Sequence, residues 1–469
     1  MKKTILRILI VVLGLLALYT VFNQFDSAPP ELKYLELREI KNPVYDSNNS
    51  YFRLWTLPEP KGTDIESKEL HMNYRRLFDP QFDTDQEIID FDEAGYKAMA
   101  EKTFVKRWRE ILGPDASWLN IPKNTSLDWC QQVLANRDTV TVLEKEFGFL
   151  QERFQKFIET EMFQDLTIIR MDIPIPHLLT YLGQAKLYVI RSMLTALDGD
   201  WLNGTNQLLD LVDSSKKVMR GSRTLITNLV AKAIIRISCE AMASLINNAE
   251  CPPEVYQLIL DRTPPLAFEE YGSVPMVFEY QFRPPYNWKR FMNEPDYGFF
   301  KSLFFGLFTQ QNRTLRLRDQ SILPIIEAER IPPYQWTYDP FKPESPIKGM
   351  FWWLQNPGGK LHIHHFVHKG GKNLAVVILK SNRVKTTYQI LRISAELHKE
   401  FNPNQPVQKI LNRLETYKVP DPCSGKPYVW NNQKQILYSI GTDRKDDGGE
   451  PQGKDEFGDF PLPVTLYVK

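Results

Sequence analysis

Residues 177–262 read HLLTYLGQAKLYVIRSMLTALDGDWLNGTNQLLDLVDSSKKVMRGSRTLITNLVAKAIIRISCEAMASLINNAECPPEVYQLILDR. Leu178, Leu179, Leu182, Ala185, Val189, Ile190, Met193, Leu194 and Leu197 recur at helical spacing and form one broad apolar stripe. Gly199 ends that pattern, and a second stripe of Leu208, Leu209, Leu211, Val212 and Met219 follows. Gly221 breaks again before Leu225, Ile226, Leu229, Val230, Ala233, Ile234, Ile237, Ala241, Leu245 and Ile246 define a third. Pro252-Pro253 then opens a short fourth. Helices joined by two- or three-residue breaks must run antiparallel to their neighbours, so this block predicts a stacked helical bundle or a short solenoid. No repeat is regular enough for a tetratricopeptide array. The expected fold class is therefore mainly α.

Working toward the N-terminus, residues 85–263 extend the helical domain. Asp85 can cap a helix whose apolar positions include Phe104, Val105, Trp108, Ile111 and Leu112, stopped by Pro114. A further helical stretch is expected from about Ser126 to Phe163. Residues 24–84, with Pro29-Pro30, Pro58 and Pro60 and little periodicity, read as a tether and an irregular layer.

Residues 1–23, MKKTILRILIVVLGLLALYTVFN, put Lys2, Lys3 and Arg7 ahead of an unbroken apolar run from Ile8 to Phe22. Counted from Ile5 with Arg7 snorkelling, residues 5–22 just span a bilayer. The expectation is a single-pass transmembrane helix, a signal-anchor in a bacterial inner membrane. Its positive end faces the cytoplasm and the bulk of the chain is periplasmic. A cleaved signal peptide is the rival, although no small-x-small site follows the run closely.

Toward the C-terminus the composition shifts. Proline (33 residues) and aromatics (12%) concentrate between Pro264 and Trp353, so residues 264–360 are expected to be irregular. Within them, the Phe-rich run 299–308 suits either a membrane interface or a short core helix. Residues 361–417 are expected to hold one long helix, Asn373 to His398, and a short one, Val407 to Tyr417. Residues 418–469 change to β patterning. The turn cluster 419–427 leads into strand residues Tyr428 to Trp430, a turn at 431–433 and a return strand, Gln435 to Ile440. Val464 to Val468 reads as a last strand.

Several function classes are excluded or left open by composition. Lys plus Arg (58) against Asp plus Glu (57) gives a net charge of +1, without the basic field that nucleic-acid binding needs. There is no G-x-S-x-G, no P-loop and no G-x-G-x-x-G. Four histidines, His362, His364, His365 and His368, crowd into eight residues. On a strand His362 and His364 share a face, and on a helix His364 and His368 do. Either pair can begin a transition-metal site, given a third ligand from elsewhere. Cys239 and Cys251 flank a helix end and can form a disulfide or remain two buried thiols.

DPCSGKPYVW (421–430) followed by LYSIGTDRKDDGG (437–449) resembles the tail of uncharacterised membrane-anchored bacterial proteins. It is similar also to the C-terminal hairpin of the major pseudopilins of type II secretion. That resemblance covers about 50 of the 469 residues. It implies Ca2+ held by Asp443, Asp446 and Asp447, with Asp455 or Asp459 as further ligands. The alternative is a solvated acidic turn whose carboxylates cap backbone N–H groups. No prepilin-peptidase site is present, and the helical bulk far exceeds a pseudopilin body, so the likeness is confined to the hairpin. The sequence thus leads to two expectations. The first is a non-enzymatic scaffold or binding module of the cell envelope with a protein partner. The second is a metal-dependent hydrolase built on the histidine cluster.

Overall fold

A computed structural model describes residues 11–28 apart from 12, 16, 23, 24 and 26, residues 40–75 apart from 41, and residues 92–113, 117–119, 129–167 and 175–266. It also describes 309–329, 331–337, 345, 347, 352–366, 372–450, 460–464 and 466. The helices are α1 (Ser50–Thr56), α2 (Lys68–Arg75), α3 (Glu93–Ala100), α4 (Lys106–Leu112), α5 (Trp129–Ala135), α6 (Arg137–Glu159) and α7 (Leu178–Leu197). They continue as α8 (Trp201–Gly221), α9 (Leu225–Ile246), α10 (Pro253–Arg262), α11 (Gln311–Ala328), α12 (Pro357–Phe366), α13 (Lys372–Glu400) and α14 (Val407–Leu411). A π-helical turn, Glu101–Val105, joins α3 to α4. Among the described residues three short strands follow: β1 (Val429–Asn431), β2 (Ile436–Ser439) and β3 (Phe460–Pro463). The protein is mainly helical, with this small antiparallel sheet at its C-terminal end.

Two compact units divide the chain. The larger holds residues 40–275, 331–335 and 379–469, and the smaller holds 1–39, 276–330 and 336–378. In the larger unit the α7–α10 block lies as its periodicity predicts. α8 packs on α7 and α9, and α10 on α8. Gly199, at φ +105, takes the left-handed conformation that lets the chain reverse between α7 and α8. Leu187, Met193, Leu208, Leu211, Ile234, Ile235 and Met242 are all buried where these helices meet.

Residues 24–84 differ from the loose layer expected of them. α1 is capped by Asn49, whose side chain accepts from Tyr51 N, and Tyr51, Phe52, Leu54 and Trp55 have no exposed surface. The seven residues show no periodicity because almost every face is buried, so there is no polar stripe to read. Asn49 Nδ2 donates to Val44 O (3.1 Å) and Gln164 O (2.8 Å), and Oδ1 accepts from Gln164 N (2.8 Å). Arg153 of α6 clasps the segment after α1, donating to the carbonyls of Leu57, Glu59, Pro60 and Thr63. Asp165 then accepts from Arg223 N (2.8 Å) and Thr224 N (3.3 Å), tying the segment after α6 to the start of α9.

Two more expectations are corrected. Residues 264–360, expected to be irregular, contain the 18-residue α11 and the first four residues of α12. Residues 311–323 carry no proline, and Leu315, Leu323, Ile325 and Ile326 supply a buried face, so Pro324 near the end is accommodated. The last strand is Phe460–Pro463, pairing with β2 from Ile436↔Pro463 to Ser439↔Phe460, upstream of the expected Val464 to Val468. The hairpin itself pairs Val429↔Tyr438 and Asn431↔Ile436, close to the expected register. α13 matches the expected long helix, with Ile378, Val384, Tyr388 and Leu391 buried.

In the smaller unit, residues 17–22 are helical, and among the described residues no helix is long and apolar enough to cross a membrane. Residues 1–10 of the expected anchor lie outside the described residues, as does the Phe-rich run 299–308. Side chains of α11 and the residue before it fasten the chain that leaves the apolar segment. Gln310 donates to Phe25 O (2.8 Å), Asn312 to Ser27 O (2.6 Å) and Arg316 to Ala28 O (3.1 Å).

Candidate functional site

The turn 421–427 is built around one buried carboxylate. Asp421 accepts from Cys423 N (3.1 Å), Ser424 N (3.2 Å), Ser424 Oγ (2.8 Å) and Ser439 Oγ (2.9 Å). Burial pushes its carboxyl above the usual carboxylate range, against the pull of those donors. Gly425, at φ +71, closes the turn by donating to Asp421 O. The 421–427 turn is thus a folding device welded to β2 through Ser439.

The acidic loop beyond β2 is held in a similar way. Asp446 accepts from Tyr438 Oη (2.8 Å) and Gly448 N (2.9 Å), and Asp443 accepts from Lys445 N (3.1 Å). The Lys434 ammonium and the Asn431 amide both donate to Gly448 O at 3.1 Å. Among the described residues no three His, Cys, Asp or Glu side chains converge as a metal would need. Asp455 and Asp459 lie outside the described residues. Asp443, Asp446 and Asp447 are near one another along the loop, and two of them cap turns.

Of the histidine cluster, residues 362–366 belong to α12, which decides between the strand and helix readings. His364 Nδ1 lies 2.7 Å from Ser345 Oγ. His368, its partner on a helical face, lies outside the described residues, as do the side chains of His362 and His365. Of the two alternatives for Cys239 and Cys251, the structure holds the buried thiols: both are free, as are Cys130 and Cys423, and all four are buried. Cys239 sits in the interior of α9 with no exposed surface, and burial raises its thiol to about 12.

A different set of residues forms a groove in the larger unit. α9 contributes Lys232 and Arg236 with Leu229 and Ala233, and α13 contributes Lys380 and Arg383 with Leu379 and Val384. They enclose a cavity of about 230 Å³. Lys232 is 1% exposed, and its ammonium donates to Ser381 Oγ on α13. Glu240, one turn beyond Arg236, lies 3.6 Å from it, with its side chain 13% exposed. Burial raises the Glu240 carboxyl, opposed by Arg236 and Arg383. Lys186 of α7 is pushed down by burial and by the nearby Arg236 charge. Sequence reasoning missed this groove because each helix gives it only two basic residues, and neither pair stands out within its own helix. The available signal was the spacing, i,i+4 in α9 and i,i+3 in α13, which puts each pair on one helix face.

No protein family, no curated protein and no solved structure matches the chain.

Proposed function

We propose that this chain is a membrane-anchored envelope protein, held by residues 5–22, whose helical bulk is an extracytoplasmic binding module rather than an enzyme. One observation carries the reading. Val11, Leu13, Leu15, Leu18, Val21, Phe22 and Phe25 are each more than half exposed. Seven large apolar side chains left in water within fifteen residues forgo on the order of 10 kcal/mol of burial. A lipid bilayer restores that burial, and the flanking Lys2, Lys3 and Arg7 match the positive-inside pattern.

Neighbouring aromatics support the same reading. Tyr19 packs edge-on against Trp353, ring centroids 5.9 Å apart, and its hydroxyl donates to the Trp353 carbonyl. Trp353 (46%) and Leu354 (43%) are themselves exposed. Tyrosine and tryptophan at this position suit the headgroup layer beside an apolar helix. The pseudopilin-like hairpin and its Ca2+ belong to the same proposal, since envelope proteins meet millimolar calcium outside the cell.

Membrane extraction tests the proposal. The full chain expressed in a bacterium should stay with the membrane pellet through alkaline carbonate washing, and deletion of residues 1–23 should release it. Release of the intact chain by carbonate would refute the anchor.

A further inference from the structure

We propose, on the premise that residues 5–22 anchor the chain, that the end of the larger unit formed by the first turns of α7 and α9 rests on the membrane and buries its apolar side chains among the lipids. Leu179 in the first turn of α7 is 58% exposed, and Ile226 in the first turn of α9 is 44% exposed. The two helices pack on one another and, with α8 antiparallel to both, run in the same direction. Their first turns therefore share one end. Each exposed residue has apolar neighbours on its own helix face: Leu182 follows Leu179, and Leu229 and Val230 follow Ile226, all half-buried. Val142 and Leu202 are exposed as well, but the residues four positions from them are Asp138, Glu146, Asp198 and Asn206. Those two are single apolar side chains in polar surroundings, which any protein surface carries.

The route of the chain says what covers this end. Coming from the apolar segment, the chain joins the larger unit at residues 44–50, where Val44 N donates to Gln164 Oε1 (3.0 Å) and Ser50 N to Met162 O (2.9 Å). Next to these, Asp165 N donates to Gly221 O (3.1 Å) at the close of α8, and the Asp165 carboxylate accepts from Arg223 N and Thr224 N just before α9. The tether thus enters at the end that carries Leu179 and Ile226. A body held on a leash meets the bilayer with the end to which the leash is tied. The backbone there is prepared for such contact. His177 accepts from Thr180 N at the start of α7, and Asp165 takes the two N–H groups ahead of α9, so fewer donors are stranded when water leaves. Two exposed side chains with half-buried neighbours seat this end in the headgroup and upper acyl layer, short of the hydrocarbon centre.

The test places an environment-sensitive dye, NBD, on the full chain reconstituted into phosphatidylcholine vesicles, a lipid without net charge. Each variant carries one new thiol, Leu179→Cys, Ile226→Cys or Leu202→Cys, all at exposed positions that carry little folding risk. The four native thiols are buried, so the label reports the new position. Labels at positions 179 and 226 should lose about half their emission to phosphatidylcholine bearing a doxyl quencher near its headgroup, and should resist iodide supplied on both sides of the vesicle wall. The label at position 202, in the first turn of α8 and so at the opposite end, should respond to iodide and not to the doxyl lipid. If the chain floats with the vesicles but iodide quenches all three labels alike, the proposal is overturned while the anchor stands. Protection of positions 179 and 226 from both quenchers means that protein covers this end, which also overturns it. A chain that does not float with the vesicles refutes the anchor and this contact together.

Discussion

Replacing Gly204 by alanine should destabilise the protein, whereas the same change at Gly148 should stabilise it. Both glycines lie inside helices, α8 and α6. A Cβ built on Gly204 would sit 2.7 Å from Ala196 N and 2.8 Å from Ala196 Cβ on α7, and closer still to the Ser192 carbonyl. Carbon contacts are comfortable near 3.5–4.0 Å, so α8 must retreat from α7 by roughly 0.6–1 Å. Overpacking of this kind costs about 1–3 kcal/mol. Alanine's helix propensity returns up to about 1 kcal/mol, for a net loss of about 1–2. At Gly148 the new Cβ meets nothing within 4 Å, so only the propensity gain of about 0.5–1 kcal/mol remains. Urea unfolding followed by far-ultraviolet circular dichroism should move the two midpoints in opposite directions from the wild type. Midpoints that move together would mean that α7 and α8 do not approach as closely as the structure places them.

Three further expectations follow from particular side chains. Burial holds the His177 imidazole below its ordinary value, with Glu101 opposing and Lys97 reinforcing the shift. The neutral ring caps α7 by accepting from Thr180 N at 3.3 Å. A depressed folded value means that the contribution of His177 is fully present above the ordinary imidazole value, near 6.5, and fades as pH falls through the folded value. His177→Asn keeps a capping acceptor without titrating, so the urea midpoints of wild type and variant should converge or cross on going from pH 7.5 to 5.5, whereas a constant gap would refute this. For calcium, Tm should rise in millimolar Ca2+ relative to chelator, and Asp443→Asn should reduce the rise, while equal Tm values in both conditions would remove calcium from the account. The four buried thiols should resist a thiol-reactive dye in the native state and all react in denaturant, and rapid native labelling would contradict their burial.

The reach of the sequence can be judged element by element. α7 to α10 were legible because each buries one side and is punctuated by Gly199, Gly221 or Pro252-Pro253. α13 was legible from the spacing of its apolar residues and the proline at 403 that follows it, although polar residues such as Asn382 and Thr386 are buried with them. α1 was not, because nearly every face is buried and period disappears when no face is polar. α11 was hidden by its surroundings, where prolines on either side masked a clean helical run. The Asp421 turn could be recognised by its residues, but only the geometry shows why the aspartate is needed there. The α9–α13 groove depends on two helices some 150 positions apart in sequence, and no pattern within either one announces the other. Among the nominated ligands, the histidines and aspartates were noticed for being clustered along the chain, whereas the cations that share a cavity are not.

The most direct test of the central claim is topology. Alkaline phosphatase, which folds only outside the cytoplasm, can be fused behind Lys469 in a bacterial host, with a cytoplasm-only reporter fused at the same point. The account predicts an active phosphatase and a silent partner reporter, both dependent on residues 1–23. The reverse pattern would place the helical bulk inside the cell and contradict the anchored, extracytoplasmic reading.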